Sequence, residues 1–120
     1  MPSSTIVRHR WSDIPAESIT PSIDRKFITA ERVTLAHFQL KKGGVVPSHA
    51  HAQEQLSHVI SGSLRFIVGG QDVLVSSGEV IQIPPGLEHE VHVVEETFVI
   101  DVFSPIRQDW IDKTDTYFGR

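Results

Sequence analysis

Seven histidines and no cysteine mean that any metal ion held by this 120-residue chain must be bound through imidazole, carboxylate or amide groups. The stretch Gly43-Gly44-Val45-Val46-Pro47-Ser48-His49-Ala50-His51-Ala52-Gln53-Glu54-Gln55 sets His49 and His51 two residues apart. In an extended strand such residues point to the same face. Gln55 keeps that parity four residues on, so two imidazoles and an amide oxygen share one side, a donor set suited to a borderline divalent ion. Glu54 is the alternative oxygen donor, but it falls on the opposite face. A fourth donor is offered by Gly78-Glu79-Val80-Ile81-Gln82-Ile83-Pro84-Pro85-Gly86-Leu87-Glu88-His89, where the Pro-Pro-Gly turn reverses the chain and aims His89 back across the sheet. One carboxylate also stands out. In Thr97-Phe98-Val99-Ile100-Asp101-Val102-Phe103, Asp101 is embedded among apolar residues, and an ionised group there costs several kcal/mol unless a cation compensates it. The metal ion or Arg107 is the candidate compensator, and Val99, Asp101 and Phe103 share one face.

Strands must carry these side chains. No long segment shows the 3, 4, 7 apolar spacing of an amphipathic helix, whereas short runs rich in Val, Ile, Phe and Thr alternate with turn residues. Strands are expected at Arg25 to Ala30, Arg32 to Leu40, Gln55 to Ser61, Ser63 to Val68, Gln71 to Val75, Glu79 to Ile83, Glu90 to Val94 and Thr97 to Phe103. Turns are expected at Lys41 to Gly44, Ser61-Gly62, Gly69-Gly70, Ser76 to Gly78, Pro84 to Gly86 and Glu95-Glu96. Eight short, evenly spaced strands predict an all-β sandwich or closed barrel whose closure removes exposed edges. One domain spanning residues 1–120 is expected from the length. Residues 1–24, with Pro2, Pro15 and Pro21, read as an N-terminal arm; residues 105–120 read as a tail packed on the barrel, with a short helix or docked segment over Arg107 to Phe118.

The net charge of −4 arises from 15 acidic and 11 basic residues scattered without a basic run, which argues against nucleic acid as a partner. The opening residues lack an apolar signal core and no apolar stretch reaches the roughly 18 residues that span a bilayer, so a cytoplasmic protein with no membrane partner is expected. His9, His37, His58 and His92 read as ordinary polar residues; His58 and His92 lie at odd spacing from Gln55 and His89 and so face away from them.

The two stretches resemble the paired cupin motifs, Gly-x5-His-x-His-x3,4-Glu-x6-Gly and Gly-x5-Pro-x-Gly-x2-His-x3-Asn. Gly43, His49, His51 and Gly62 match the first, and Gly78, Pro84, Gly86 and His89 match the second. Gln55 stands where the motif has its ligand Glu, and Val93 where it has Asn. The resemblance implies a cupin β-barrel, a jelly-roll-like double-stranded β-helix. With the ending Asp101-Val102-Phe103-Ser104-Pro105-Ile106-Arg107-Gln108-Asp109-Trp110, the chain is similar to the small cupins of the pectin-degradation type. That resemblance implies one divalent ion (zinc, nickel, manganese or iron) on His49, His51, Gln55 and His89, with Asp101, Phe103 and Arg107 in the active site. The implied reaction opens and ketonises 4,5-unsaturated monouronates, with Asp101 moving the proton, Arg107 gripping the sugar carboxylate as a fork and Phe103 stacking on the ring. A site of neutral ligands leaves the ion's charge uncompensated and favours such an anionic substrate. Family analogy adds a homodimer, with outward residues such as Ile60 at its interface. The alternatives are a cupin dioxygenase, a non-catalytic sugar-binding cupin, and a purely structural metal site closed by four protein ligands.

Overall fold

The alternating pattern folds as eight strands, described over residues 4–118 in a computed structural model. They are β1 (Glu17–Thr20), β2 (Ile23–Thr29), β3 (Thr34–Leu40), β4 (Val45–His49), β5 (Glu54–Val68), β6 (Gln71–Ser76), β7 (Val80–Ile83) and β8 (His89–Ser104), followed by a single helical turn, α1 (Gln108–Ile111). Two long strands organise the rest. β5 and β8 run antiparallel along nearly their whole lengths, from Glu54 opposite Ser104 to Val68 opposite His89. Each changes outer partner part-way: β8 pairs with β4 through its first half and β3 through its second, while β5 pairs with β7 and then β6. The result is two sheets, β1-β2-β3-β8-β5-β7 and β4-β8-β5-β6, joined through the bent strands as a jelly roll.

Bending in β5 is localised at Gly62. Register shifts occur between Val59 and Leu64, and the inward positions change from Gln55, Ser57 and Val59 to Leu64 and Phe66. An extra residue in one strand flips the parity of all that follows it. Gly62 is obligatory there, because its φ is +94° and an added Cβ would stand 2.3 Å from the Glu96 carbonyl oxygen and 2.3 Å from Thr97 Oγ1. In β8 the parity is unbroken, so His89, Val91, Val93, Thr97, Val99, Asp101 and Phe103 all face inward. The core they join includes Phe38, Leu40, Val59, Leu64, Phe66, Ile83 and Trp110.

This corrects the strand boundaries expected from local pattern. Ser61-Gly62 and Glu95-Glu96 are not chain reversals, and the four strands flanking them are two, because long-range pairing on both sides carries the backbone through. β1 and β4 were not among the expected strands: β1 falls within the expected N-terminal arm and lies at the end of the strand order, and β4, which carries Pro47, pairs with β8 off the main path. The N-terminal arm therefore ends before Glu17, and its Trp11–Asp13 turn lays Trp11 flat on His37, ring centroids 3.6 Å apart. Residues 1–3 of the expected arm, and 119–120 of the expected tail, lie outside the described residues. No helix is long and apolar enough to cross a membrane among the described residues.

Gly62→Ala combines positive φ with a backbone clash and should lower stability by about 2–4 kcal/mol in urea denaturation. A loss under about 0.5 kcal/mol would mean that the β5 bend tolerates a side chain.

Candidate metal centre

His49 ends β4 directly opposite His89, which begins β8, so one cross-strand pair supplies two imidazoles. His51 lies in the loop between β4 and β5, outside the strand that its spacing suggested. The turn of Pro84 to Gly86 fixes that loop: Gly86, at φ +75°, donates its N–H to the His51 carbonyl at 2.8 Å. One ring nitrogen from each of the three residues lies within 4.8 Å of the others. The Nδ1 atoms are all engaged in the same way, each with a carbonyl two residues away: His49 with Pro47 at 2.8 Å, His51 with Gln53 at 3.1 Å and His89 with Leu87 at 2.9 Å. Donating from Nδ1 leaves the Nε2 lone pairs for a common acceptor of electrons. His89 Nε2 is buried with no partner.

Desolvation pushes the His49 and His51 pKa values down to about 4, opposed by their carbonyl contacts, and lowers that of His89. All three rings are thus neutral at pH 7. A neutral His51 has one proton and two contacts to satisfy, since its Nε2 lies 3.0 Å from Gln55 Oε1. With the proton on Nδ1, two acceptors face each other; moving it to Nε2 transfers the same conflict to the Gln53 carbonyl. A cation shared by Nε2 and Oε1 would resolve it. These residues therefore fit a divalent ion. Glu54, the alternative ligand, is exposed on the outer face.

Gln55 is oriented by Ser57, to which its Nε2 donates at 2.9 Å. Ser57 stands directly opposite Asp101 across the β5–β8 pair, where its hydroxyl favours the ionised carboxyl. A continuous chain, His51–Gln55–Ser57–Asp101, links the candidate cation site to the carboxyl group. Burial pushes the Asp101 pKa up to about 7, against the Ser57 hydrogen bond and the charge of Arg107. Its Oδ1 is buried and unpartnered. His49, Gln55, Ser57, His89, Asp101, Phe103 and Arg107 line one cavity with Trp110, Tyr117 and Phe118.

Arg107 differs from expectation. It forms no ion pair with Asp101, and its fork is committed to Asp109, Nε to Oδ1 at 3.0 Å and Nη2 to Oδ2 at 2.8 Å. Burial would drain its charge, but the Asp109 hydrogen bonds more than offset that and its pKa is raised. Asp109 is shifted down, the Arg107 hydrogen bond and charge outweighing its own burial. Among the described residues Nε and Nη2 carry the guanidinium's hydrogen bonds and Nη1 makes none, so the fork is not free. The guanidinium is stacked 4.7 Å above Phe103 and 4.3 Å from Trp110, so the Phe103 ring carries the arginine as well as lining the cavity. Ser57 was missed in the sequence although its parity with Gln55 predicts it; Trp110 and Tyr117 were missed as lining residues because a tail's docking has no periodicity. His58 is exposed and His92 points away from the cavity, paired with Glu90.

A family model for a cupin domain, Cupin_2, matches residues 36–103. The chain is 30% identical over 81 residues to the uncharacterized protein SCO3923 of Streptomyces coelicolor, spanning 67% of this chain and 77% of that protein. It is 28% identical over 102 residues to the pectin degradation protein KdgF of Dickeya dadantii, spanning 82% and 93%. The solved structure of KdgF from Halomonas sp. shares the fold with a TM-score of 0.82 at 24% identity, over 88% of this chain and 99% of that one.

Replacing His49 and His51 together by Ala should abolish stoichiometric divalent metal in elemental analysis of purified protein; undiminished metal would show a different ligand set. Asp101 makes a separate prediction for metal-free protein. Its folded pKa, about 7, lies above the ordinary 3.8, so its stabilising contribution is complete below about pH 4 and is lost as pH rises to about 7. The urea stability of Asp101→Asn relative to wild type should therefore climb by about 1 kcal/mol per pH unit across that window and then level off. Parallel profiles would show that Asp101 is not a buried neutral acid.

Proposed function

The chain belongs to the Cupin_2 family, and on that premise we propose that it opens and ketonises 4,5-unsaturated monouronates with a divalent ion held by His49, His51, Gln55 and His89. The observation that carries this reading is the lining of a single cavity by two imidazoles of the cluster, His49 and His89, the latter with an unpartnered Nε2, and by a buried carboxyl with an unpartnered Oδ1. Similarity to a protein named for pectin degradation supports the substrate class. When bound, the ion supplies Lewis-acid polarisation and a template for substrate oxygens.

The chemistry is a proton rearrangement without oxidation. The hemiacetal opens by breaking the bond between the anomeric carbon and the ring oxygen, leaving an aldehyde and an enol at C5. Ketonisation then adds a proton to C4 while the enol oxygen loses one. Asp101 suits both halves, because a carboxyl poised near pH 7 is present as acid and as base in comparable amounts. Ser57 orients that carboxyl and, through Gln55, couples it to the imidazole cluster. Arg107 contributes a fixed positive charge and its Nη1 amino group to the sugar carboxylate, held in place by Asp109 and two aromatic faces. Phe103 and the other apolar lining residues exclude water and strengthen these interactions.

A proton NMR time course on lyase-derived unsaturated galacturonate should show loss of the ring-vinyl signal and growth of keto-acid signals without oxygen uptake. Chelation should abolish it, and Asp101→Ala should lower kcat at least a hundredfold with metal content intact. Oxygen consumption would favour a dioxygenase; full activity in Asp101→Ala would remove Asp101 from the mechanism.

A further inference from the structure

The cavity at the imidazole cluster is covered by the chain's own C-terminal segment. After α1 the backbone turns at Lys113, the one described non-glycine residue with positive φ, +57°. The segment beyond is anchored by the Thr114 N–H on the Asp109 carbonyl at 2.8 Å and by Asp115 against Arg25 at 3.2 Å, both of those side chains 1% exposed. Tyr117 then lies parallel on His49, ring centroids 4.0 Å apart with planes within 3°, and its hydroxyl is 3.4 Å from Arg107 Nη2. Phe118 joins it in lining the cavity. With both rings in place the cavity volume is about 50 Å³. That is room for a few waters, well below the roughly 300 Å³ at which small-molecule pockets begin.

A six-carbon sugar acid cannot occupy the cavity beside these rings. The anchored part, Thr114 and Asp115, and the covering part, Tyr117 and Phe118, differ in kind: the first includes a buried ion pair, whereas the second is half-buried and held by the Tyr117 stack on His49, one long hydrogen bond to Arg107 and the packing of Phe118 against Tyr117 and the edge of the core. The covering rings are therefore the part that yields. We propose that Tyr117 is a specificity-determining residue of this site: its ring occupies the position of the incoming sugar over His49, and a ligand enters by displacing it and taking its place beside Arg107. The tail, still anchored at Asp115, then bounds the opened site and admits a single sugar ring in preference to a longer chain. The size preference rests on the uronate reading; the covering of His49 does not.

Two measurements separate these claims. Diethyl pyrocarbonate labelling of metal-free protein, read by peptide mass, should carbethoxylate His49 at least fivefold faster in Tyr117→Ala than in wild type, with the exposed His58 unchanged as internal control. Tyr117→Phe keeps the stack and should label like wild type. Equal His49 rates in wild type and Tyr117→Ala, with both variants folded by circular dichroism, would overturn the proposal. Unsaturated digalacturonate, whose unsaturated ring is locked as a glycoside and cannot open, should inhibit turnover of the monouronate with an inhibition constant at least tenfold lower in Tyr117→Ala than in wild type; an unchanged constant would overturn the specificity role. If neither protein turns over any uronate while His49 labelling still depends on Tyr117, the uronate reading falls and the gate over His49 stands.

Discussion

Each imidazole of the cluster gives its Nδ1 side to a carbonyl two residues away, and this repeated local contact sets the orientation of the whole site. Because desolvation keeps the rings neutral, one nitrogen on each is left as a bare lone pair, and three such lone pairs are gathered with the Gln55 oxygen in a space that water reaches poorly. Such a collection of acceptors repels itself unless a cation enters. The backbone carbonyls thus act as the outer support of the site, fixing ring rotation before any ion arrives.

A second polar arrangement supports the first from the tail. Trp110 lies between two buried guanidinium groups, Arg25 at 4.2 Å and Arg107 at 4.3 Å from its ring. Arg25 is neutralised by Glu17 and Asp115, and Arg107 by Asp109, so each buried cation has a carboxylate partner and an aromatic face. Losing one partner from such a buried pair is far more disruptive than losing a surface pair. The layered stack ties β1, β2 and the C-terminal segment to the mouth of the barrel and holds Tyr117 near the imidazoles.

The two long strands connect these parts. Unbroken parity along β8 sends His89 from one end and Asp101 and Phe103 from the other to the same interior, so an imidazole of the cluster and the buried carboxyl share one strand. The break in β5 at Gly62 does the opposite work. Before it, Gln55 and Ser57 face the cavity; after it, Leu64 and Phe66 do, so the polar and apolar parts of the lining come from one strand with two registers.

The residues that converge on the cavity were legible because parity and turn chemistry are local: His49 and Gln55 from spacing, His89 from the Pro-Pro-Gly reversal, Asp101 from its improbable apolar setting. Local pattern failed at Ser61-Gly62 and Glu95-Glu96, where residues that favour turns in isolation are carried through by hydrogen bonds to strands tens of residues away. It also failed for Arg107, since the competition between Asp101, Asp109 and a ligand for one guanidinium is settled by three-dimensional distance. The amino-acid sequence by itself determined the β architecture and which residue types could serve as donors, both of which follow from side-chain alternation and residue type. Only the tertiary structure decided that Ser57 links Gln55 to Asp101, that two arginines enclose Trp110 and that Tyr117 covers His49, because these contacts join segments whose separation along the chain carries no periodic signal.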